Sequence, residues 1–81
     1  MIQITLLFFG ALKNHFSASF QLEIEPNSTL EEVVKLLCDR NSTATELIMQ
    51  CQLAVNSVLE TTDYIITKEC EIAVLPPFSG G

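Results

Sequence analysis

The chain has few positively charged residues: four Lys and Arg stand against ten Asp and Glu, which gives a formal net charge of −6 over 81 residues. Recognition of nucleic acid depends on a basic surface that neutralises phosphates, so this balance argues against DNA or RNA as the partner. A partner with a basic surface is the better electrostatic match. The same acidic charge also favours solubility by itself, and the sequence leaves both interpretations open.

Residues that bind metals or form disulfides are also scarce. The single histidine is His15, and the three cysteines, Cys38, Cys51 and Cys70, form no CxxC pair. An odd number of separated cysteines fits neither a disulfide scaffold nor a zinc site. Cys38 falls on the apolar stripe of a predicted helix, where a thiol packs as a small apolar group, whereas the sequence assigns no role to Cys51 or Cys70. We therefore expect no metal or cofactor to be bound by this chain.

An apolar run at residues 4–12 imitates the core of a signal peptide. It has no preceding basic residues and no small-residue cleavage site after it, and it is too short to cross a bilayer. We interpret it as a buried strand of a cytoplasmic protein that has no membrane partner. With 48% apolar residues, the chain can bury a core of its own as one domain.

Alternating and helical apolar patterns predict the element order β-β-α-β-β-β. Strands are predicted over residues 2–9, 19–25, 53–55, 58–59 and 71–75, and a helix over residues 30–40. Two capping boxes fit the start of this helix, Ser28 with Glu31 or Thr29 with Glu32. Residues 43–51 are predicted as a short helix or an irregular segment, and residues 64–66 as an apolar connection.

Two of the three glycines are the last two residues of the sequence. They follow a Pro-Pro pair that ends the final strand, because proline cannot donate to a sheet ladder or continue a helix. We therefore predict a domain of residues 1–75 and an extended tail that reaches at most about 20 Å. The tail consists of Pro76, Pro77, Phe78, Ser79, Gly80 and Gly81. Glycine has no Cβ and can pass a narrow channel, so the α-carboxylate of Gly81 is predicted to be the group that reacts.

Other side chains are interpreted from their neighbours. Phe78 has little local core to join between Pro77 and Ser79, so we expect it to dock on a partner. The acidic residues near the helix are predicted to form a solvated face rather than an active-site pair; they are Glu23, Glu25, Glu31 and Glu32.

A hairpin, one helix, further strands and a Gly-Gly ending together resemble the β-grasp, ubiquitin-like fold. This is an α+β fold in which a mixed sheet packs on one main helix, here with a protruding C-terminal tail. The stretch Leu53-Ala54-Val55-Asn56 followed by Leu59, and the ending EIAVLPPFSGG at residues 71–81, resemble the small, sulfur-carrying subunit of molybdopterin synthase. Members of that family read A-V-N and end in P-P-x-S/T-G-G. The opening LLFFGAL at residues 6–12 is similar to their first strand.

One stretch departs from the family pattern. Members carry a Gly-Asp-Glu turn before the last strand, whereas this chain reads Glu69-Cys70-Glu71. If the family glycine has a positive φ, Glu69 would strain the turn or force another geometry.

The resemblance implies a sulfur carrier that has no catalytic groups of its own and belongs to a heterotetrameric synthase. An E1-like adenylating enzyme would use ATP to adenylate Gly81, and a persulfide sulfur donor would convert it into a thiocarboxylate. The tail, residues 76–80, would then enter the active site of the large subunit, where sulfur passes to cyclic pyranopterin monophosphate. The resemblance also implies that Phe9, Leu59 and Leu75 contact the large subunit. The alternative is that these three are ordinary core residues.

Three other functions compete with this one. A sulfur carrier for thiazole synthesis or another thiocarboxylate pathway shares the fold and the Gly-Gly end, although such carriers are shorter and lack Pro-Pro-Phe-Ser. A ubiquitin-like modifier would join Gly81 to lysines of target proteins. An interaction module would carry the Gly-Gly end by coincidence.

Overall fold

The computed structural model describes residues 1–77, so Phe78, Ser79, Gly80 and Gly81 lie outside the described residues. The described part contains, in chain order, β1 (Ile2–Phe8), β2 (Ser19–Ile24), β3 (Ser28–Thr29), α1 (Leu30–Arg40), α2 (Thr45–Met49), β4 (Gln52–Val55), β5 (Val58–Glu60), β6 (Ile65–Ile66) and β7 (Cys70–Leu75). Short 3-10 helices cover Gly10–Asn14 and Ser42–Ala44. Within residues 1–77, no helix is both long enough and apolar enough to cross a membrane.

Five strands form a mixed sheet in the order β2-β1-β7-β4-β5. The first and last strands, β1 and β7, lie side by side and parallel in its middle, whereas the other neighbours are antiparallel. Parallel neighbours cannot be joined by a tight hairpin, so the chain between them has to cross over, and α1 lies in that crossover. The predicted mixed sheet packed on one main helix is confirmed.

The core lies between α1 and one face of this sheet. The fully buried residues of β1 follow a period of two, as the sequence predicted, and those of α1 follow the helical period. They are Ile4, Leu6 and Phe8 of β1 and Leu30, Val33 and Leu37 of α1. Each fully buried large apolar side chain contributes about 1.5–3 kcal/mol to folding. The three cysteines are free thiols that pack, partly buried, against this core.

The structure selects one of the two predicted capping boxes. The backbone N–H of Thr29 donates to Oε1 of Glu32 at 3.0 Å, and the backbone N–H of Glu32 donates to the Thr29 hydroxyl at 3.3 Å. Ser28 has a different partner, because its hydroxyl donates to the carbonyl of Glu25 at 2.7 Å. Thr29 is therefore the residue that caps α1.

Thr29→Ala is expected to lower the free energy of unfolding by about 1 kcal/mol, since an N-terminal N–H of α1 loses its acceptor. Urea unfolding followed by circular dichroism measures this change. Thr29→Ser keeps the hydroxyl and is the matched control, so an equal loss in both variants would contradict a capping role.

The prediction that residues 64–66 form only an apolar connection is wrong for two of the three residues. Ile65 and Ile66 form β6, which pairs antiparallel with β3 through Thr29 and Ser28. Two residues are too few to show an alternating pattern, so neither strand can be detected from apolar periodicity. The carbonyl of Tyr64 also accepts the backbone N–H of Leu30 at 3.1 Å, so this segment holds the start of α1.

The departure at Glu69 causes no strain. Among the described residues, a positive φ occurs at Gly10, Asn27, Asn56 and Ser57 and not at Glu69. The turn before β7 therefore uses backbone angles that any residue adopts, and a glycine is not needed there.

Candidate functional site

An apolar row crosses four strands on the sheet face opposite α1. The register pairs Leu7 of β1 with Ala73 of β7, Ala73 with Ala54 of β4, and Ala54 with Leu59 of β5. Paired residues point to the same side of a sheet, and neighbours along a strand point to opposite sides. Leu6 points into the core beside α1, so the row from Leu7 to Leu59 faces away from the helix.

Two further apolar residues extend this row at the end of β1 and β7. The pairing of these strands ends at Phe8 and Val74, both of which point into the core. Phe9 keeps extended backbone angles, φ −130° and ψ 159°, so Phe9 and Leu75 point to the opposite side. We call the resulting surface the outer face, and it comprises Leu7, Phe9, Ala54, Leu59, Ala73 and Leu75.

The structure brings the three predicted interface residues together on the outer face. Phe9 is 42% exposed and Leu59 is 56% exposed, while Leu75 is half-buried. The alternative that Phe9 and Leu59 are core residues is therefore wrong. Exposed apolar side chains that share one face are typical of an interaction site, and contact with a large subunit stays a prediction.

The sequence analysis does not name Leu7, Ala54 or Ala73 as interface residues, although all three belong to the outer face. The alternation along each strand shows on which side of that strand the residue lies. Membership of a common row depends on the register between strands, which is a long-range property that the sequence pattern alone did not provide.

The base of the predicted tail adjoins the outer face. Leu75 is the last residue of β7, Pro76 is half-buried, and Pro77 is exposed. The chain therefore leaves the sheet directly beside Phe9 and Leu75. Phe78, Ser79, Gly80 and Gly81 lie beyond the described part, so the extended tail and the role of Gly81 stay predictions.

The Ala54-Val55-Asn56 motif ties the β4–β5 hairpin to β7. The backbone N–H of Asn56 donates to the carbonyl of Glu71 at 2.8 Å, and the backbone N–H of Glu71 donates to Oδ1 of Asn56 at 3.0 Å. Asn56 and Ser57 have φ values of 48° and 74°, as a type I′ hairpin turn requires. The predicted tight turn is confirmed, and Asn56 helps to hold Leu59 in line with β7.

Asn56→Ala is expected to lower the free energy of unfolding by about 1–2 kcal/mol, because it leaves the N–H of Glu71 without its acceptor and places alanine at a positive φ. Chemical denaturation measures the change. Asn56→Gly also removes the acceptor, but glycine adopts a positive φ without strain. Its loss in free energy of unfolding should therefore be smaller than that of Asn56→Ala. Equal losses would show that the backbone angle contributes nothing.

The cysteines that the sequence left unassigned act as packing groups. Burial raises the pKa of the Cys51 and Cys70 thiols, so both stay protonated at neutral pH and are weak nucleophiles. The Cys51 thiol donates a hydrogen bond to the carbonyl of Leu47 at 3.2 Å. Over residues 1–77, no three His, Cys, Asp or Glu side chains are placed to hold a metal ion.

The sequence profile of the ThiS family matches residues 6–81. The match includes the predicted tail as well as nearly all of the domain. A comparison with curated protein sequences gives no match.

Solved structures share the fold of this chain. A Pyrococcus furiosus protein provisionally assigned as molybdopterin converting factor subunit 1 superposes with a TM-score of 0.85 at 13% identity, covering 95% of this chain and 99% of that one. The Helicobacter pylori complex of subunits 1 and 2 of molybdopterin-converting factor matches with a TM-score of 0.71 at 22% identity, covering 99% and 100%. Small archaeal modifier protein 1 of Haloferax volcanii matches with a TM-score of 0.83 at 12% identity, covering 95% and 99%. These likenesses establish a ubiquitin-like β-grasp fold.

Proposed function

The chain belongs to the ThiS family, and we propose that it is the sulfur carrier subunit of a molybdopterin synthase. The observation that carries this proposal is the position of the outer face at the base of the tail. Leu75 belongs to the outer face and Pro76 follows it directly. A protein docked over Phe9, Leu59 and Leu75 would therefore lie where the tail begins.

The large synthase subunit is the proposed occupant of the outer face. The fold likeness to the Helicobacter pylori complex, which joins subunits 1 and 2 of molybdopterin-converting factor, supports a partner of this kind. A tail of six residues reaches at most about 20 Å, which is enough to enter an active site in the docked partner. That partner would supply the catalytic groups and exclude water from the reacting sulfur.

The chemistry begins with activation of the Gly81 carboxylate, which is a poor acyl donor because its leaving group would be oxide. An E1-like enzyme would join the carboxylate to the α-phosphate of ATP and release pyrophosphate, so that AMP becomes the leaving group. The terminal sulfur of a persulfide donor would then attack the Gly81 carbonyl carbon and displace AMP. A second thiol would cleave the resulting S–S bond by disulfide exchange, leaving a thiocarboxylate on Gly81.

Sulfur transfer would follow in the large subunit. The thiocarboxylate sulfur would bond to a carbon of cyclic pyranopterin monophosphate while a carbon–oxygen bond at that carbon breaks and its oxygen leaves as water or as a phosphate oxygen. Water would then cleave the acyl–sulfur bond, which leaves the sulfur on the precursor and returns Gly81 to a carboxylate. Two such transfers would supply the two sulfurs of the dithiolene. This chain would contribute the sulfur and the binding surface, whereas ATP would be bound by the activating enzyme.

Intact mass spectrometry tests the proposed function. The purified chain is incubated with ATP, an E1-like activating enzyme and a persulfide source, and then mixed with the large subunit and the pterin precursor. We expect a mass gain equal to the replacement of one oxygen by sulfur, mapped to Gly81, which disappears when precursor is added. An unchanged mass under conditions that charge another member of the family would contradict the proposal.

Two of the three competing functions predict different results in related assays. The fold likeness to small archaeal modifier protein 1 favours a modifier as the second candidate. A modifier would form isopeptide bonds between Gly81 and lysines of other proteins in a cell lysate. A carrier for thiazole synthesis would acquire the same sulfur but would not pass it to the pterin precursor.

A further inference from the structure

The sheet has one long open edge. In the part of the chain that the structure describes, β2 and β5 are the outermost strands of the five-stranded sheet. β5 has three residues, and a strand this short is a poor template for pairing. β2 has six residues, pairs one for one with β1 without a bulge, and contains no proline and no lysine. Its only charged residue is Glu23, so β2 is the edge to which a further strand can add.

The outward-facing backbone groups of β2 belong to Gln21 and Glu23. The backbone N–H of Phe8 donates to the carbonyl of Ala18 at 2.9 Å, and the pairing continues one for one along β1 and β2. Every second residue of an antiparallel ladder directs both its N–H and its C=O at the partner strand. Leu22 therefore bonds to β1, whereas Gln21 and Glu23 direct their N–H and C=O groups away from the sheet, where an added strand would meet them.

A groove between β2 and α1 would receive half of the side chains of an added strand. Its apolar lining consists of Met1, Ile24, Val33 and Leu36. Leu36 is 40% exposed and Met1 is 74% exposed, so this lining offers apolar surface that the domain itself leaves in water. Side chains alternate between the two sides of a sheet. Every second side chain of an added strand would therefore lie on the side of α1, against these residues.

The charge around the groove selects the chemistry of that strand. Among the described residues, Glu23, Glu25, Glu32 and Asp39 line the groove, against a single cation, Lys35. Glu23 alternates with the buried residues of β2, so it lies on the side of the sheet away from α1. Opposite charges that face each other across neighbouring strands stabilise their pairing, and like charges destabilise it. Basic side chains therefore match the positions of the added strand that do not enter the groove.

We propose that the edge of β2 and this groove bind an extended segment of a partner protein in which basic and apolar residues alternate. The segment adds to the sheet beside β2, where backbone hydrogen bonds supply affinity and alternate side chains supply specificity. Its apolar side chains contact Leu36, and its basic side chains lie beside Glu23. A second copy of this chain is a poor occupant, because its own Glu23 and Glu25 would approach the same carboxylates.

The inference does not depend on the proposed function. The outer face lies on β1, β7, β4 and β5, so β2 and the groove are a separate surface. The test therefore uses the wild-type chain and needs neither the large subunit nor sulfur transfer.

A fluorescein-labelled peptide as long as β2, in which lysine and valine alternate, is the probe. Fluorescence anisotropy is expected to show saturable binding to the full chain, and nuclear magnetic resonance to show slower amide exchange at Gln21 and Glu23. In the proposed pairing the lysine residues stand opposite Gln21 and Glu23, so their N–H groups bond to β2. N-methylation of two lysine residues should weaken binding about 10-fold or more. N-methylation of two valine residues is the matched control and should leave the Kd nearly unchanged.

A charge reversal tests the proposed specificity. Glu23→Lys is expected to weaken binding of the alternating peptide about 10-fold. Glu46→Lys changes the net charge equally, but Glu46 is exposed on α2 and does not line the groove, so its effect should be much smaller. Equal losses would show that the acidic chain attracts a basic peptide without using the groove, which overturns the proposal.

Three other results would also overturn it. One is the absence of saturable binding, and another is an equal effect of methylation at lysine and at valine. The third is amide protection at Gln21 and Glu23 that rises with the concentration of the free chain, which would assign the edge to a second copy. Peptide-induced shifts at Phe9 and Leu59 in place of Gln21 and Glu23 would move the peptide to the outer face and contradict the proposal as well.

Discussion

Deletion of Gly81 is expected to abolish sulfur transfer completely while leaving the domain folded. The proposed chemistry requires a free α-carboxylate at position 81, and no other group of the chain replaces it in that chemistry. The domain buries its core between α1 and the sheet, without Gly81, so the free energy of unfolding should change by less than about 0.5 kcal/mol. Transfer is measured as dithiolene formation by the reconstituted synthase, and stability by urea unfolding.

Two further variants isolate the carboxylate. Appending one residue after Gly81 keeps both glycines but moves the carboxylate, and it should be as inactive as the deletion. Lys35→Ala changes an exposed side chain of α1, which lies on the sheet face opposite the outer face, and is the control, from which we expect continued transfer. Normal dithiolene formation by the extended chain would refute the role of Gly81.

Phe9→Asp is expected to weaken association with the large subunit by more than about 2 kcal/mol, which is about 30-fold in Kd. Phe9 is 42% exposed beside Leu75, so the wild-type ring is available to a partner, and a carboxylate there would have to lose its hydration on docking. Isothermal titration calorimetry with the purified large subunit measures the affinity.

Leu36→Asp is the matched control for Phe9→Asp. Leu36 is 40% exposed, nearly as much as Phe9, but it lies on α1 and therefore away from the outer face. The Leu36→Asp variant should bind the large subunit with wild-type affinity. Equal losses from both variants would indicate a general effect of added negative charge, and an unchanged affinity of Phe9→Asp would place the interface elsewhere.

Local sequence patterns predicted most of the fold. The alternation from Ile4 to Phe8 and the helical spacing from Leu30 to Leu37 identified buried faces that the structure confirms, because each pattern reports which side of its own element avoids water. The strands β3 and β6 were not predicted, because a two-residue strand has no period to detect. The choice between the two capping boxes also required the structure, because both boxes have the same residue spacing.

The sequence by itself determined the composition of the candidate site: an acidic domain, a Pro-Pro stop, and a Gly-Gly ending that the ThiS family profile includes in its match. These features are local, and their chemistry follows from residue types alone. Only the tertiary structure decided that Phe9, Leu59 and Leu75 share one face and that Gly10 lies against Pro76. The place of Leu59 follows from the pairing of β4 with β7 and with β5, and the other contacts follow from pairing the first strand with the last. That pairing joins residues some 66 positions apart, as between Leu6 and Ile72, and packing around the whole core sets it.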